Sequence, residues 1–405
     1  KNDKWSLTIE NTILTEKDVK KLNLQHIRTI YAPNLRIVKQ NCINRLYHLR
    51  QFIAPKLKVI EKNSFDQNFG MFEFYAPKLL FFGERCFSEC YSLAFISLNN
   101  VKQGSYELYS CHSLRTLVSP NYKCFPNFMN SVGAVYSGSK DLIKNRESKL
   151  LFIRNYEAMC RKLPKEQLCD ENVDQFVTDN ALVVPKNIIA YSTTIKNEFI
   201  RSIHVFVGQN VQTIETKGFY CCPRLYLVVA KNLKHVGSKA FYNCHQLREV
   251  VADEIEVVET EGFIGCVSLV NFDFSSLKSI GKSSFGFNQS LISANLLKIK
   301  ELPTYSFQCC YALTQIIAPK CISIFDDAFK NGSKAIKVHA PMVGQEQKEK
   351  LMKQNILFID EEEIIDFGTQ PVDQQFPYLK LQMQESAKRM RIKQKIVKKS
   401  QLILK

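Results

Sequence analysis

The sequence predicts an α/β solenoid of about thirteen 22-residue repeats, and three observations predict it. Phenylalanine recurs at Phe219, Phe241, Phe263, Phe285, Phe307 and Phe329, each 22 residues after the last. Taking that leading residue as position 0, apolar residues return at +3, +6, +9, +14 and +17. An Ala-Pro pair returns in phase at +11 and +12: Ala32-Pro33, Ala54-Pro55, Ala76-Pro77, Ala318-Pro319 and Ala340-Pro341. A fixed period of this length marks stacked repeats, in which each unit touches only its neighbours. A chain of 405 residues therefore need not be divided into separate globular cores.

Each segment follows from the template. Residues 1–20 carry Trp5, Leu7, Ile9, Ile13 and Leu14 ahead of the first full repeat. They are expected to cap the exposed end of the stack, as a solenoid end requires. Residues 21–125 form a first block of about five repeats, with Leu24, Ile27, Ile30, Leu35 and Val38 filling the first copy. Proline cannot continue a sheet ladder, so the strand is placed just before it, at about +6 to +10. The stretch from +14 to the next leading residue is expected to return the chain through a turn and a short helix or 3-10 segment. The period fails over 126–174. There Leu150, Leu151, Ile153, Tyr156, Met159, Cys160 and Leu163 give an apolar face that predicts a helix over 147–168, inside an inserted bridge. Residues 175–341 resume with about eight repeats, the first of which places Ala181 inward. Residues 342–367 read as a C-terminal cap with a helix over 344–353 and a strand over 356–359. Residues 368–405 read as a linker and a basic tail.

Composition narrows the chemistry. Net charge is +16, and Glu385–Lys405 holds eight basic residues against one acid. Lys388, Arg389, Arg391, Lys393, Lys395, Lys398 and Lys399 could attach to an anionic membrane or nucleic acid. No apolar run is long enough to span a membrane. Of 14 cysteines, Cys90, Cys111, Cys222, Cys244, Cys266 and Cys310 fall at +3, where a small apolar filler is needed. Reduced thiols and a cytoplasmic location are therefore expected. A cell-surface or secreted protein with disulfides is the alternative if a signal segment preceded Lys1. Cys221-Cys222 and Cys309-Cys310 resemble halves of a zinc site, but four repeats separate them, about 19 Å at strand spacing. No phosphate-binding loop, nucleophile triad, metal set or cofactor motif emerges, so an enzyme, a cofactor and a small-molecule substrate are not expected.

The formula Phe-x-x-Cys-x-x-Leu-x-x-Ile/Val, followed by Leu-x-x-Ile-Gly-x-x-x-Phe, runs through Val236-Gly237, Phe241, Cys244, Leu247 and Ile280-Gly281, Phe285. It resembles the BspA-like leucine-rich repeats, also called the LRR_5 or Treponema pallidum type, over 21–125 and 175–341. Asn68 and Asn288 at the Cys position and a short copy at Leu108 depart from the formula. The resemblance implies a leucine-rich-repeat horseshoe with a concave parallel β-sheet and a protein-binding role.

Outward strand positions +7, +8 and +10 are free of packing duty and so are the candidates for recognition. They include Phe72, Tyr75, Phe95 and Arg115 before the insertion. After it they include His204, Tyr226, Arg248, Glu249, Asn271, Asp273, Thr314 and Gln315. Large aromatics among them suit interface anchors. The expected function is a non-enzymatic scaffold that binds a protein partner on this face. An adhesin of the same fold, or attachment through the tail, are the alternatives.

Overall fold

The computed structural model describes residues 6–22, 24, 27–93, 95–97, 100–101, 108, 111, 116–118, 135–136, 173–178, 181–192, 203–270, 272–333 and 335–364. The chain divides into Lys1–Ile364 and Ile365–Lys405, and these residues all belong to the first unit. The helix expected over 147–168 and the basic tail lie outside the described residues.

The fold is a parallel-strand solenoid of about twelve turns. Most turns add a rung to each of two ladders, the longer of which is interrupted between Glu249–Val251 and Ser293–Asn295. The longer rungs are three-residue strands such as Thr29–Tyr31, Gln51–Ile53, Glu73–Tyr75, Val205–Val207, Leu227–Val229, Glu249–Val251 and Gln315–Ile317. Their register is one period per rung: Ile30 pairs with Phe52, Phe52 with Phe74, and Val228 with Val250. The shorter rungs are two-residue strands such as Val59–Ile60, His235–Val236 and Val257–Val258.

The longer strand is narrower than +6 to +10, because the N–H at +6 is already committed. Leu49, Leu225 and Leu247 donate back to the carbonyl at +3, at 3.0, 3.3 and 2.9 Å. Cross-rung bonding starts at +7, where the Arg50 N–H meets the Arg28 carbonyl at 2.7 Å. It ends at +11, where Ala54 donates to Tyr75 at 2.9 Å just before the proline. Of the three strand residues, +8 to +10, only +9 points inward, and Ile30, Phe52, Phe74 and Phe206 there are fully buried.

The return segment is not the expected helix or 3-10 turn. The residues two before and two after the leading position take left-handed φ, as at Lys239 (56°) and Asn243 (55°) around Phe241. This alternation sends every second N–H to the next coil. Lys239, Phe241 and Asn243 donate to Thr260, Gly262 and Ile264 at 3.0, 2.8 and 2.9 Å, while Ala240 and Tyr242 bond locally. A helix would spend all its donors within the segment. The left-handed residues cost about 1 kcal/mol each, and the inter-coil bonds offset that cost.

Leading rings stack along the axis, with centroids 5.4 Å apart for Phe219 and Phe241 and 4.8 Å for Phe241 and Phe263. The buried residues form two separate cores, one from Ile9 to Cys111 and one from Phe176 to Ile356. The first ladder begins at Ser6–Thr8, followed by helix α1 (Glu16–Lys21), whose Thr15 and Asp18 form a reciprocal cap. The second continues past Ile336–His339 through helix α2 (Gln345–Met352) to Ile356–Phe358.

Val135–Tyr136 pairs in parallel with the rung at Thr116–Val118, Leu117 meeting Val135 at an offset of 18 residues rather than 22. One expectation about phase is corrected. Ala181 aligns with Val205, so Leu182 is the inward residue of its rung and Ala181 faces outward.

Candidate functional site

The template makes no core demand at +4 and +5, yet in several turns these positions are filled in a consistent way. Position +4 holds Tyr47, Phe69, Tyr91 and Tyr311. Position +5 holds small residues at Gly70, Ser92, Ser268, Ser290 and Ala312. In the structure this edge of the first array lies against the same edge of the second. Tyr47 stacks on Phe69 (4.9 Å, 6°) and Phe69 on Tyr91 (5.0 Å, 25°), and the Tyr311 ring lies 5.7 Å from Phe69. The small residues let the backbones approach. Ser290 Oγ donates to the Phe69 carbonyl at 2.9 Å and lies 3.0 Å from Ser92 Oγ, while Ser268 Oγ donates to the Tyr91 carbonyl at 3.1 Å. The pairing is antiparallel, since later turns of the first array meet earlier turns of the second.

This contact takes up several recognition candidates. Phe72 is 4 % exposed, and the Arg248 guanidinium covers its ring at 4.3 Å from the centroid. The expectation of Phe72 as an exposed aromatic is therefore corrected: its surface is used within the chain. Gln315 is also buried. The outward residues Val205, Val207, Leu227 and Val229 are at most 3 % exposed and form a cluster of their own, with Tyr226 packed against it. A rung buried on both faces reads as an unbroken apolar run, and Ile203–Val207 and Leu225–Ala230 are nearly that.

The remaining candidates are distributed as follows. Tyr75, His204, Tyr226, Arg248, Glu249 and Thr314 are half-buried, and Asp273 is exposed. Thr314 donates from Oγ1 to the Ile292 carbonyl at 3.1 Å. The Phe95 side chain, Arg115, Asn271 and Lys388, Arg389, Arg391, Lys393, Lys395, Lys398 and Lys399 lie outside the described residues. In the first array a polar ladder runs along +8: Thr29 Oγ1 donates to Gln51 Oε1 at 3.3 Å, and Gln51 Nε2 donates to Glu73 Oε2 at 3.0 Å.

The cysteines at +3 do more than fill space. Their S–H groups donate to the leading carbonyl of the preceding coil: Cys90 to Phe65, Cys244 to Phe219, Cys266 to Phe241 and Cys310 to Phe285, at 3.0–3.2 Å. Asn68 substitutes for the thiol with its amide, donating to the Ile43 carbonyl at 2.6 Å and accepting from the Leu46 N–H at 2.8 Å. The described cysteines are free thiols. Burial pushes Cys111 up to about 12 and raises Cys90 and Cys244, which makes these groups poor nucleophiles. Among the described residues no cluster of His, Cys, Asp and Glu could hold a metal, and no helix is long and apolar enough to cross a membrane.

Coils with two parallel ladders, one inward strand residue and fixed Phe, Cys and Leu positions define a leucine-rich-repeat solenoid. The model of the BspA type leucine rich repeat region matches six copies over residues 12–128 and 205–337, more than half of the chain, and the chain belongs to that family. Among solved structures it is similar to a leucine-rich repeat protein from Bacteroides ovatus, at 19% identity over 88% of this chain and 92% of that one (TM-score 0.34). It is also similar to the pneumococcal vaccine antigen PcpA, at 17% identity over 83% and 79% (TM-score 0.30). A third is the T. pallidum leucine rich repeat protein, at 20% identity over 42% and 86% (TM-score 0.28). No curated protein matches the chain. Leucine-rich-repeat proteins generally bind protein partners, and the fold is typically non-enzymatic.

Proposed function

We propose that this chain is a protein-binding scaffold whose recognition surface is the longer ladder between Glu249 and His339. One observation carries the reading: on this stretch the inward positions keep one chemistry while the outward positions vary. Inward, Val250, Ala294, Ile316 and Val338 are apolar and buried, and Phe272 at the same position is apolar, half-buried and packed against the core. Outward, Glu249, Val251, Asp273, Ser293, Asn295, Ile317, Lys337 and His339 differ in charge and size and are half-buried or exposed, while Gln315 among them is buried. From Ser293 to His339 aligned rungs hold such residues about 4.8 Å apart, so a partner meets a grid of mixed apolar and charged groups. Apolar contacts supply affinity on such a grid, and the charges select the partner.

The test uses the full chain as bait, with Asp273→Lys and Asn295→Lys combined. Both residues are exposed, so the fold is expected to keep its stability. Affinity for the captured partner should fall at least about tenfold, or 1.4 kcal/mol. Unchanged capture by the double variant would refute this face as the binding surface.

A further inference from the structure

The shorter ladder of the first array carries an apolar column that its own coils do not bury. Ile13, Ile37, Val59 and Phe81 stand in register on four successive rungs, over about 14 Å. Each precedes an inward residue, Leu14, Val38, Ile60 or Phe82, and so faces outward. Ile37 and Val59 are half-buried, while Ile13 is 44 % and Phe81 50 % exposed. Leu80, beside Phe81, is 53 % exposed. Strand propensity accounts for the β-branched residues. It does not account for Leu80, which precedes its strand at a position where the neighbouring coils hold Arg36 and Lys58.

Cations border the column. Arg36 and Lys58 directly precede Ile37 and Val59, and Lys56 and Lys78 lie two residues before Lys58 and Leu80; all four are exposed. Lys56 Nζ donates to Asn34 Oδ1 at 2.9 Å. Among the described residues no carboxylate pairs with any of the four. Further along the same coils Lys39 and Lys62 do pair, with Glu61 and Glu84 at 2.7 and 3.1 Å. The second array fills this face differently. Its matching outward residues are Thr213, His235, Val257, Ser279 and Glu301, only one of them apolar. Its cations there meet acids, Lys278 with Glu256 at 2.7 Å and Lys234 with Glu254 at 3.8 Å. An apolar column edged by unpaired cations is therefore a property of the first array and not of the template.

Exposed apolar surface with a polar rim marks a contact with protein or membrane, and the lysines favour membrane. Lysine is depleted at protein interfaces. At a membrane its stem lies along apolar surface while its ammonium reaches the headgroups. The backbone offers a peptide strand no open edge, since the Lys58 and Leu80 N–H groups donate to the Arg36 and Lys58 carbonyls at 2.9 Å.

We propose that this face rests on an anionic lipid bilayer. Ile13, Leu80 and Phe81 enter the boundary between headgroups and acyl chains, and Arg36, Lys56, Lys58 and Lys78 meet lipid phosphates. The face belongs to the other array and the other ladder from the proposed protein-binding surface, so it does not depend on that reading.

The test mixes the full chain with phosphatidylcholine vesicles, with and without phosphatidylserine, and measures bound protein by sedimentation. Tryptophan occurs once, at Trp5, so Phe81→Trp in a Trp5→Phe background puts a single reporter on the face. Its emission should shift to the blue with the anionic vesicles and stay unshifted with the neutral ones. Lys56→Gln with Lys58→Gln should lower partitioning on the order of 25-fold, about fivefold per charge, and weaken its salt dependence. Leu80→Ser with Phe81→Ser should lower it about tenfold and melt as wild type does; if that pair melts lower, the lysine pair and the reporter decide. No binding to anionic vesicles, an unshifted reporter, or both double variants bound as tightly as wild type, as attachment through the basic tail would give, would overturn the proposal. So would binding only to a soluble helical peptide with one leucine face and one glutamate face, which would make the partner an acidic protein.

Discussion

Replacing Cys244 by alanine and by asparagine separates two roles for the +3 thiol. If the thiol only fills space, alanine is the milder change, because it adds no polar group to an apolar shaft. If the thiol is also a donor, asparagine is the milder change, because its amide can take over the bond. The structure favours the second order. Cys244 is fully buried, and its S–H meets the Phe219 carbonyl at 3.0 Å. That carbonyl also accepts from the Cys222 N–H at 3.3 Å, so losing the thiol leaves one long bond rather than none. The donor is therefore worth about 0.5–1 kcal/mol, and the lost sulfur with its small cavity about another 1–1.5 kcal/mol. Cys244→Ala should cost about 2 kcal/mol in all. Cys244→Asn should cost under about 1 kcal/mol if it repeats the two bonds of Asn68, and clearly more than alanine if it cannot, since an unpaired buried amide costs about 1–3 kcal/mol. Urea unfolding ranks the variants, and hydrogen exchange over residues 219–225 reports whether the turn stays closed. Hydrogen exchange over residues 219–225 as slow in the alanine variant as in wild type would refute the donor role.

Asn288 occupies the same template position, is fully buried, and has both amide atoms without partners. Asn288→Cys should therefore stabilise the chain by about 1–2 kcal/mol in urea unfolding. His245 bonds through Nδ1 to the Gly265 carbonyl at 3.1 Å, and burial holds its pKa below the ordinary 6.5 despite that bond. The unfolded chain takes up a proton there that the folded chain resists, so stability should fall as pH drops below about 6.5, and His245→Gln should flatten the slope in pH-dependent melts. A methyl group on Gly70 would meet the Arg50 guanidinium, with Cζ at 2.6 Å and the Tyr47 carbonyl oxygen at 2.7 Å. Gly70→Ala should cost about 1–3 kcal/mol, and a double-mutant cycle with Arg50→Ala should recover part of it, the part held by the Tyr47 backbone remaining.

The period was legible because the inward positions carry the same constraint in every coil. Phe241 must stack on Phe219 and Phe263, and a change in either the ring or the spacing would break both contacts. The return segment was less legible, because left-handed φ leaves little mark when the residue is not glycine. Lys239, Glu261, Ser283 and Tyr305 take that conformation at one template position and share no chemistry. What identifies the position is the inter-coil hydrogen bond, which involves the backbone alone. The thiol's donor role was hidden for a related reason: cysteine suits a tight apolar site whether or not its proton is used. Asn68 was the available clue, since an amide at a core position is costly unless its bonds are made, and Asn68 makes them.

The contact between the arrays left a stronger signal than its absence from the sequence reading suggests. An aromatic followed directly by a small residue recurs as Phe69-Gly70, Tyr91-Ser92 and Tyr311-Ala312, at positions the core does not use. A recurring demand where the core makes none has to come from outside the coil. Here its source is the other array, so the two blocks of repeats are parts of one recognition problem. The edge residues recognise each other, and in doing so they remove Phe72 and Arg50 from the surface open to a partner. The proposed binding face lies beyond Glu249 for this reason. In a solenoid that packs against itself, outward-pointing and available are different properties, and the second depends on which turns meet.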